Sequence, residues 1–168
     1  MATNLEFIKS ASAISVDSLQ ITDCFNANYD VYQVLIDSDN SSNADLYTRV
    51  INDSGTVISS GSKYDFANLE MNSNTGFGAY NNTGVNQFEG IGFTSLYGSS
   101  VVATFYNPYD SSSYTFASSQ TAAYYNSGQM RGGKSIGVYK NADTITGLEI
   151  RDNSTDFTYI NIKVYGVK

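Results

Sequence analysis

Apolar residues recur at every second position in short runs along this chain, and clusters of Gly, Asn, Asp and Ser separate the runs. Successive side chains of an extended strand point to opposite faces, so such alternation predicts half-buried strands joined by turns. Helical spacing is nearly missing, with Thr121–Tyr125 the one short exception, so little or no helix is expected. The first predicted strands are Glu6–Ser10 and Asp17–Thr22. Asp30–Ile36 follows, with Tyr32, Val34 and Ile36 on one face and Val31 and Leu35 on the other. A hairpin is expected from Leu46–Ile51 through the turn Asn52-Asp53-Ser54-Gly55 to Thr56–Ser59, because Gly takes positive φ at little cost.

Further strands are predicted at Lys63–Leu69, Gln87–Leu96, Ser100–Tyr106, Ser113–Ala117, Lys134–Tyr139, Ile145–Arg151 and Asp156–Val167. Asn107-Pro108-Tyr109-Asp110 reads as a tight turn. The Gly- and Asn-rich stretch between Met71 and Asn86 reads as a surface loop. About ten strands at even spacing predict an all-β fold, an antiparallel β-sandwich of jelly-roll type. Residues 1–12 are expected to form an N-terminal arm or edge strand, and residues 13–168 a single sandwich domain.

Charge narrows the partners. The formal net charge is -7, and the three arginines (Arg49, Arg131, Arg151) and six lysines are scattered along the chain. A nucleic-acid binder needs clustered cations to displace counterions, and an anionic membrane repels the same acidic surface, so neither nucleic acid nor membrane is an expected partner. The opening MATNLEFIKSAS carries Glu6 and no basic, long apolar stretch, so no secretory signal is expected there. The single cysteine, Cys24, cannot close an internal disulfide and is expected to pack as a small buried apolar group.

Several motifs invite chemistry. Gly128–Ser135 reads GQMRGGKS, a match to the phosphate-loop pattern, whose backbone amides cradle phosphate only when a helix follows. The segment that follows, SIGVYKNADTITG, is β-branched and broken by Gly, so a Gly-rich turn entering a strand is expected and nucleotide is not. Histidine is absent, which removes the usual general base and the commonest zinc ligand. No catalytic residue, cofactor or metal ligand is therefore assigned. Glu149, Glu89 and Asp65 are strand-borne acids that could serve glycoside hydrolysis, but no spacing selects a pair from them. Asp37-Ser38-Asp39-Asn40 begins like a calcium loop yet lacks the Gly and bidentate Glu that complete one, and reads as an acidic turn. Four Asn-X-Ser/Thr sequons occur about as often as this composition produces by chance.

Tyrosine is the unusual residue, with 14 copies beside no Trp. A tyrosine offers a large rigid face and a polar tip, which suits a surface that is packed on one side and wet on the other. Tyr106, Tyr109 and Tyr114 flank one turn, and Tyr124 and Tyr125 are expected in another loop. These five are the candidate contacts to a neighbouring subunit or a sugar surface.

Two stretches resemble a group of tailed-bacteriophage virion proteins. They are the C-terminal MRGGKSIGVYKNADTITGLEI with FTYINIKVYGVK, and the opening FIKSASAISVDSLQITDCFNANYDVYQV. The resemblance implies a structural protein of the virion, assembled in the bacterial host cytoplasm and commonly a homotrimer. Proteins of this group serve as capsid decoration (cement) proteins, tail components or fibre heads. A fibre head would follow a long shaft, which these 168 residues do not include, so a decoration protein bound to the major capsid protein is expected. The alternative is a tail or fibre-tip component with lectin-like carbohydrate or receptor binding.

Overall fold

A computed structural model describes residues 4–125, 127–153 and 156–168. Among them the chain forms twelve strands and no helix: β1 (Leu5–Ala13), β2 (Ser18–Ile21), β3 (Val31–Asn40), β4 (Ala44–Asn52), β5 (Tyr64–Asn72), β6 (Gly76–Val85), β7 (Phe88–Thr94), β8 (Ser99–Tyr106), β9 (Thr115–Tyr125), β10 (Gln129–Tyr139), β11 (Ile145–Asp152) and β12 (Phe157–Val167). All pairings are antiparallel, in an eight-stranded sheet of order β1-β12-β3-β8-β9-β10-β5-β6 and a four-stranded sheet of order β2-β11-β4-β7.

Eight of these strands trace a jelly roll. Taken in chain order without the hairpins β5–β6 and β9–β10, the first strand pairs with the last (β1–β12) and the second with the seventh (β2–β11). The third pairs with the sixth (β3–β8) and the middle two with each other (β4–β7). This nesting is what a long hairpin produces when it wraps into two facing sheets. The two additional hairpins extend the larger sheet beyond β8 and leave β6 as its far edge.

The core lies between the sheets and follows the alternation of the sequence. Tyr32, Val34 and Ile36 of β3 face Leu148 and Ile150 of β11, with Val101, Ala103 and Phe105 of β8 beside them. Burying each large apolar side chain contributes roughly 1.5–3 kcal/mol. The buried tyrosines keep their hydroxyls satisfied. Tyr32 Oη donates to the Asn26 carbonyl at 2.6 Å, Tyr64 Oη to the Ile58 carbonyl at 2.8 Å, and Tyr139 Oη to Asp143 at 2.5 Å. Cys24 is a free thiol in this core, and burial pushes it up to about 12, which keeps it unreactive at neutral pH.

Five details differ from the sequence expectations. The stretch between Met71 and Asn86 holds the strand β6, paired with β5 along its length. Exposed on both faces from Gly76 to Thr83, it has no reason to show apolar alternation there. Thr121–Tyr125 is the end of β9, with Thr121, Ala123 and Tyr125 turned inward. Thr56–Ser59 forms only a bridge between Val57 and Ile51. Asp37–Asn40 ends β3, so Ser38 and Asn40 point into the core while Asp37 and Asp39 point away. Finally, the run Gly132–Ser135 lies inside β10 and not in a turn, which is confined to Gly128 and its neighbours.

Candidate binding surface

The outward face of the hairpin strands carries a band of exposed apolar residues among polar ones such as Ser118 and Gln120. Register places Tyr106 beside Phe116 across β8 and β9, and Phe116 beside Val138 across β9 and β10. Met71 lies beside Phe77 across β5 and β6, and Tyr124 beside Met130 across β9 and β10. Leu69 and Ile136 occupy the middle. Phe77 is 79% exposed, Ile136 65% and Met130 61%, although each is a residue that core packing would favour. The outward positions of β8, β9, β10, β5 and β6 carry two charged side chains, Lys134 and Asp65. Asp65 is already paired with Lys140 at 2.7 Å. A shallow groove of about 480 Å³ crosses this face, floored by Phe116, Ile136 and Val138 and flanked by Tyr106.

Two aromatic rings on the other side hold the hairpins against the small sheet. Strand β7 packs over β9 and β10, and it does so where β10 has no side chains. A Cβ at Gly137 would lie 2.5 Å from the Phe88 ring, and one at Gly133 would lie 3.3 Å from the Phe93 ring. Of the glycines in the phosphate-loop match, Gly133 therefore serves as a seat for Phe93, while Gly137, two residues beyond the match, seats Phe88. Lys134 points outward, and Ser135 Oγ donates to the Gly90 carbonyl at 2.6 Å. The backbone of Gly132–Ser135 is paired on both sides by β5 and β9, which leaves no cradle of free amides for phosphate.

Arg131 fastens the same junction. Its guanidinium lies 4.0 Å over the Phe93 ring, donates to both Glu70 oxygens at 2.6 and 2.7 Å, and donates to Tyr125 Oη at 2.6 Å. Asp45 of β4 stands 3.3 Å away, so one arginine ties β10, β5, β9 and β4 together. Burial raises the Asp45 carboxyl above its ordinary value, with Arg131 opposing the shift. Planar bidentate pairing of this kind also fixes geometry.

The five candidate tyrosines do not form one site. Tyr106 and Tyr124 both face outward, but Phe116, the neighbour of Tyr106, and Tyr124 are eight residues apart on β9, or roughly 26 Å. Tyr109 and Tyr114 sit exposed in the connection before β9. Tyr124 and Tyr125 lie at the end of a strand and not in a loop, and therefore on opposite faces: Tyr124 rests edge-on against Tyr97, while Tyr125 is buried against Arg131. The strand-borne acids are equally dispersed. Glu149 is buried and paired with Arg49 at 3.4 Å, Asp65 is held by Lys140, and Glu89 lies on β7. Of the aliphatic members of the outward face, Leu69 and Ile136 fall in strands predicted from the sequence, while Met71 and Met130 fall beside or within stretches read as loop and turn. Nothing in the sequence marks which face has no sheet over it.

No protein-family model and no curated protein matches the chain. Among solved structures, it is similar to the CspB protease of Clostridium perfringens (TM-score 0.39, 10% identity) and to exo-inulinase from Aspergillus awamori (TM-score 0.40, 7% identity). It covers 26% and 29% of those two chains, with 96% of its own length aligned in each. A single mutant of congerin II aligns with 87% of this chain and 99% of its own (TM-score 0.34, 10% identity). At these scores none of the three informs the function of this chain.

Proposed function

We propose that this chain is a non-enzymatic structural protein of a bacteriophage particle, a capsid decoration (cement) protein that binds the shell through the outward face of its large sheet. The observation that carries the reading is the apolar face itself, from Tyr106 and Phe116 across Ile136 and Leu69 to Met71 and Phe77. Contiguous exposed apolar surface marks an interaction site, and covering it contributes roughly 25 cal/mol per Å². Its make-up, aromatic and methionine side chains with few charges, is that of the buried centre of a protein interface. The jelly-roll frame supports the reading by analogy, since viral capsid domains use it, as lectin domains also do. The stretches that resemble phage virion proteins fall on β1–β3 and β10–β12, and all of these but β10 adjoin one another as β1-β12-β3 and β2-β11.

On this reading the partner is the major capsid protein, the chain acts as a homotrimer, and its place is the virion. Mass-spectrometric counting in particles purified from the encoding phage tests it. Hundreds of copies per particle are expected, a few copies would move the protein to the tail, and absence from the particle would overturn the proposal. The face is tested by Ile136→Lys, which puts a charge at an exposed position and should leave the fold intact. The variant is expected to lose capsid binding with an unchanged melting curve. Light scattering should give about 55 kDa for three chains of 18.2 kDa each.

A further inference from the structure

Alternation along β5, β6 and β10 sends Asn68, Glu70, Tyr80 and Arg131 to the side opposite the apolar face. The small sheet ends at β7, so the overhanging hairpin looks across a cleft of about 330 Å³ toward the edge formed by β4 and β7. That edge contributes Asp45, Tyr47 and Glu89. We propose that this cleft binds a neutral saccharide.

The groups in the cleft select the ligand by chemistry. Asn68 Oδ1 is buried with no hydrogen-bond partner, while its Nδ2 donates to the Glu89 carbonyl at 3.3 Å. The Glu89 carboxylate engages Tyr80 Oη only through a long contact of 3.4 Å among the described residues, and so has acceptor capacity left. Sugar hydroxyls donate to such oxygens, and the rings of Tyr47 and Tyr80 offer flat surfaces for the C–H face of a pyranose. Anionic ligands meet three carboxylates (Asp45, Glu70 and Glu89) and one cation, Arg131, whose donors are already committed to Glu70, Tyr125 and Asp45. Nor do the acids converge on a metal: no group of three or more metal-ligating side chains is present among the described residues. The volume falls at the lower end of the roughly 300–1,000 Å³ typical of small-molecule sites, which suits a short saccharide. The assignment is independent of the docking face, which lies on the other side of the same strands, so a protein held by that face would keep the cleft open.

The test uses the full chain on an array of neutral and acidic glycans. Calorimetric titration then follows with the methyl glycosides of galactose, glucose, mannose and N-acetylglucosamine. At least one neutral glycan is expected to bind. Glu89→Gln and Tyr80→Ala should each weaken that binding about tenfold or more, or by about 1.4 kcal/mol, while Phe77→Ala on the opposite face of β6 leaves it unchanged. Circular dichroism and melting curves identify a variant that fails to fold. In that case Glu89→Gln, which keeps the shape of the side chain, decides. No neutral glycan bound at millimolar concentration would overturn the proposal. So would affinity insensitive to both cleft variants, or a preference for sulfated glycans or a cationic peptide.

Discussion

The jelly-roll frame and the two hairpins grafted onto it use the same alternation of side chains and bury very different shares of it. In the frame, β3, β11 and β12 bury one face under an opposing sheet, and residues such as Ile36, Leu148 and Ile162 are fully covered. In the hairpins, β9 and β10 are covered on one side by β7, and β6 is exposed on both from Gly76 to Thr83. A strand's pattern therefore states which residues share a face, and the neighbouring layer decides whether that face is core or surface. Where the layer is missing, as beyond β7, alternation yields an apolar sheet face directed outward and a polar cleft behind it.

The largest expected effect separates these two regions. Phe105 in β8 is fully buried beside Phe25 and Phe88. Phe105→Ala should cost about 3–5 kcal/mol, the usual cost of deleting a buried aromatic ring. The same truncation at Phe77, on β6, should stay within about 0.5 kcal/mol. Urea denaturation of both variants makes the comparison, and equal losses would show that β6 is buried in solution, as in an assembled oligomer.

A smaller effect is expected at the seam between the regions. Gly137→Ala places a Cβ 2.5 Å from the Phe88 ring, and overpacking of this kind costs roughly 1–3 kcal/mol. Phe88→Leu in the same chain should return part of that loss, because the two sites share one contact and their effects cannot add. Simple additivity of the two substitutions would mean that the ring does not seat on β10.

The frame was legible in the sequence because burial imposes its pattern. Val31 to Ile36, Ile145 to Arg151 and the strand ending at Val167 show it directly, and each is a strand of the frame. The sequence GFGAYNNTGV of β6 was not legible, since its pairing is set by β5 and both faces are exposed from Gly76 to Thr83. The end of β9 was obscured for a different reason. Its outward Ala122 and Tyr124 are as apolar as its inward Ala123 and Tyr125, so period two disappears from the string although it holds in the structure. The candidate surface was legible only in part, as tyrosine abundance. Arg131, Glu70 and Asp45, which join at one point, are distant in sequence and unremarkable one by one.

The smallest expected effect concerns how the outermost hairpin is held, and it depends on pH. Asp65 of β5 accepts from Lys140 Nζ at 2.7 Å and from the Gly84 amide of β6 at 2.7 Å, and these bonds, Lys140 first, hold its carboxyl below its ordinary value of 3.8. A carboxyl lowered by folding contributes stability that is present above its unfolded value and lost as pH falls through its folded one. Asp45 works in the opposite sense. Burial raises its carboxyl, so its contribution is greatest in acid and declines as pH rises past 3.8. Asp65→Asn should thus lower stability at neutral pH by less than about 1 kcal/mol, because the pair is partly exposed to water. The difference from the parent should vanish well below pH 3.8, where the parent carboxyl is protonated too. Hydrogen exchange should place the loss in β6 and leave the amides of β3 and β12 protected. A loss spread evenly over both sheets would mean that the hairpin and the frame unfold as one unit.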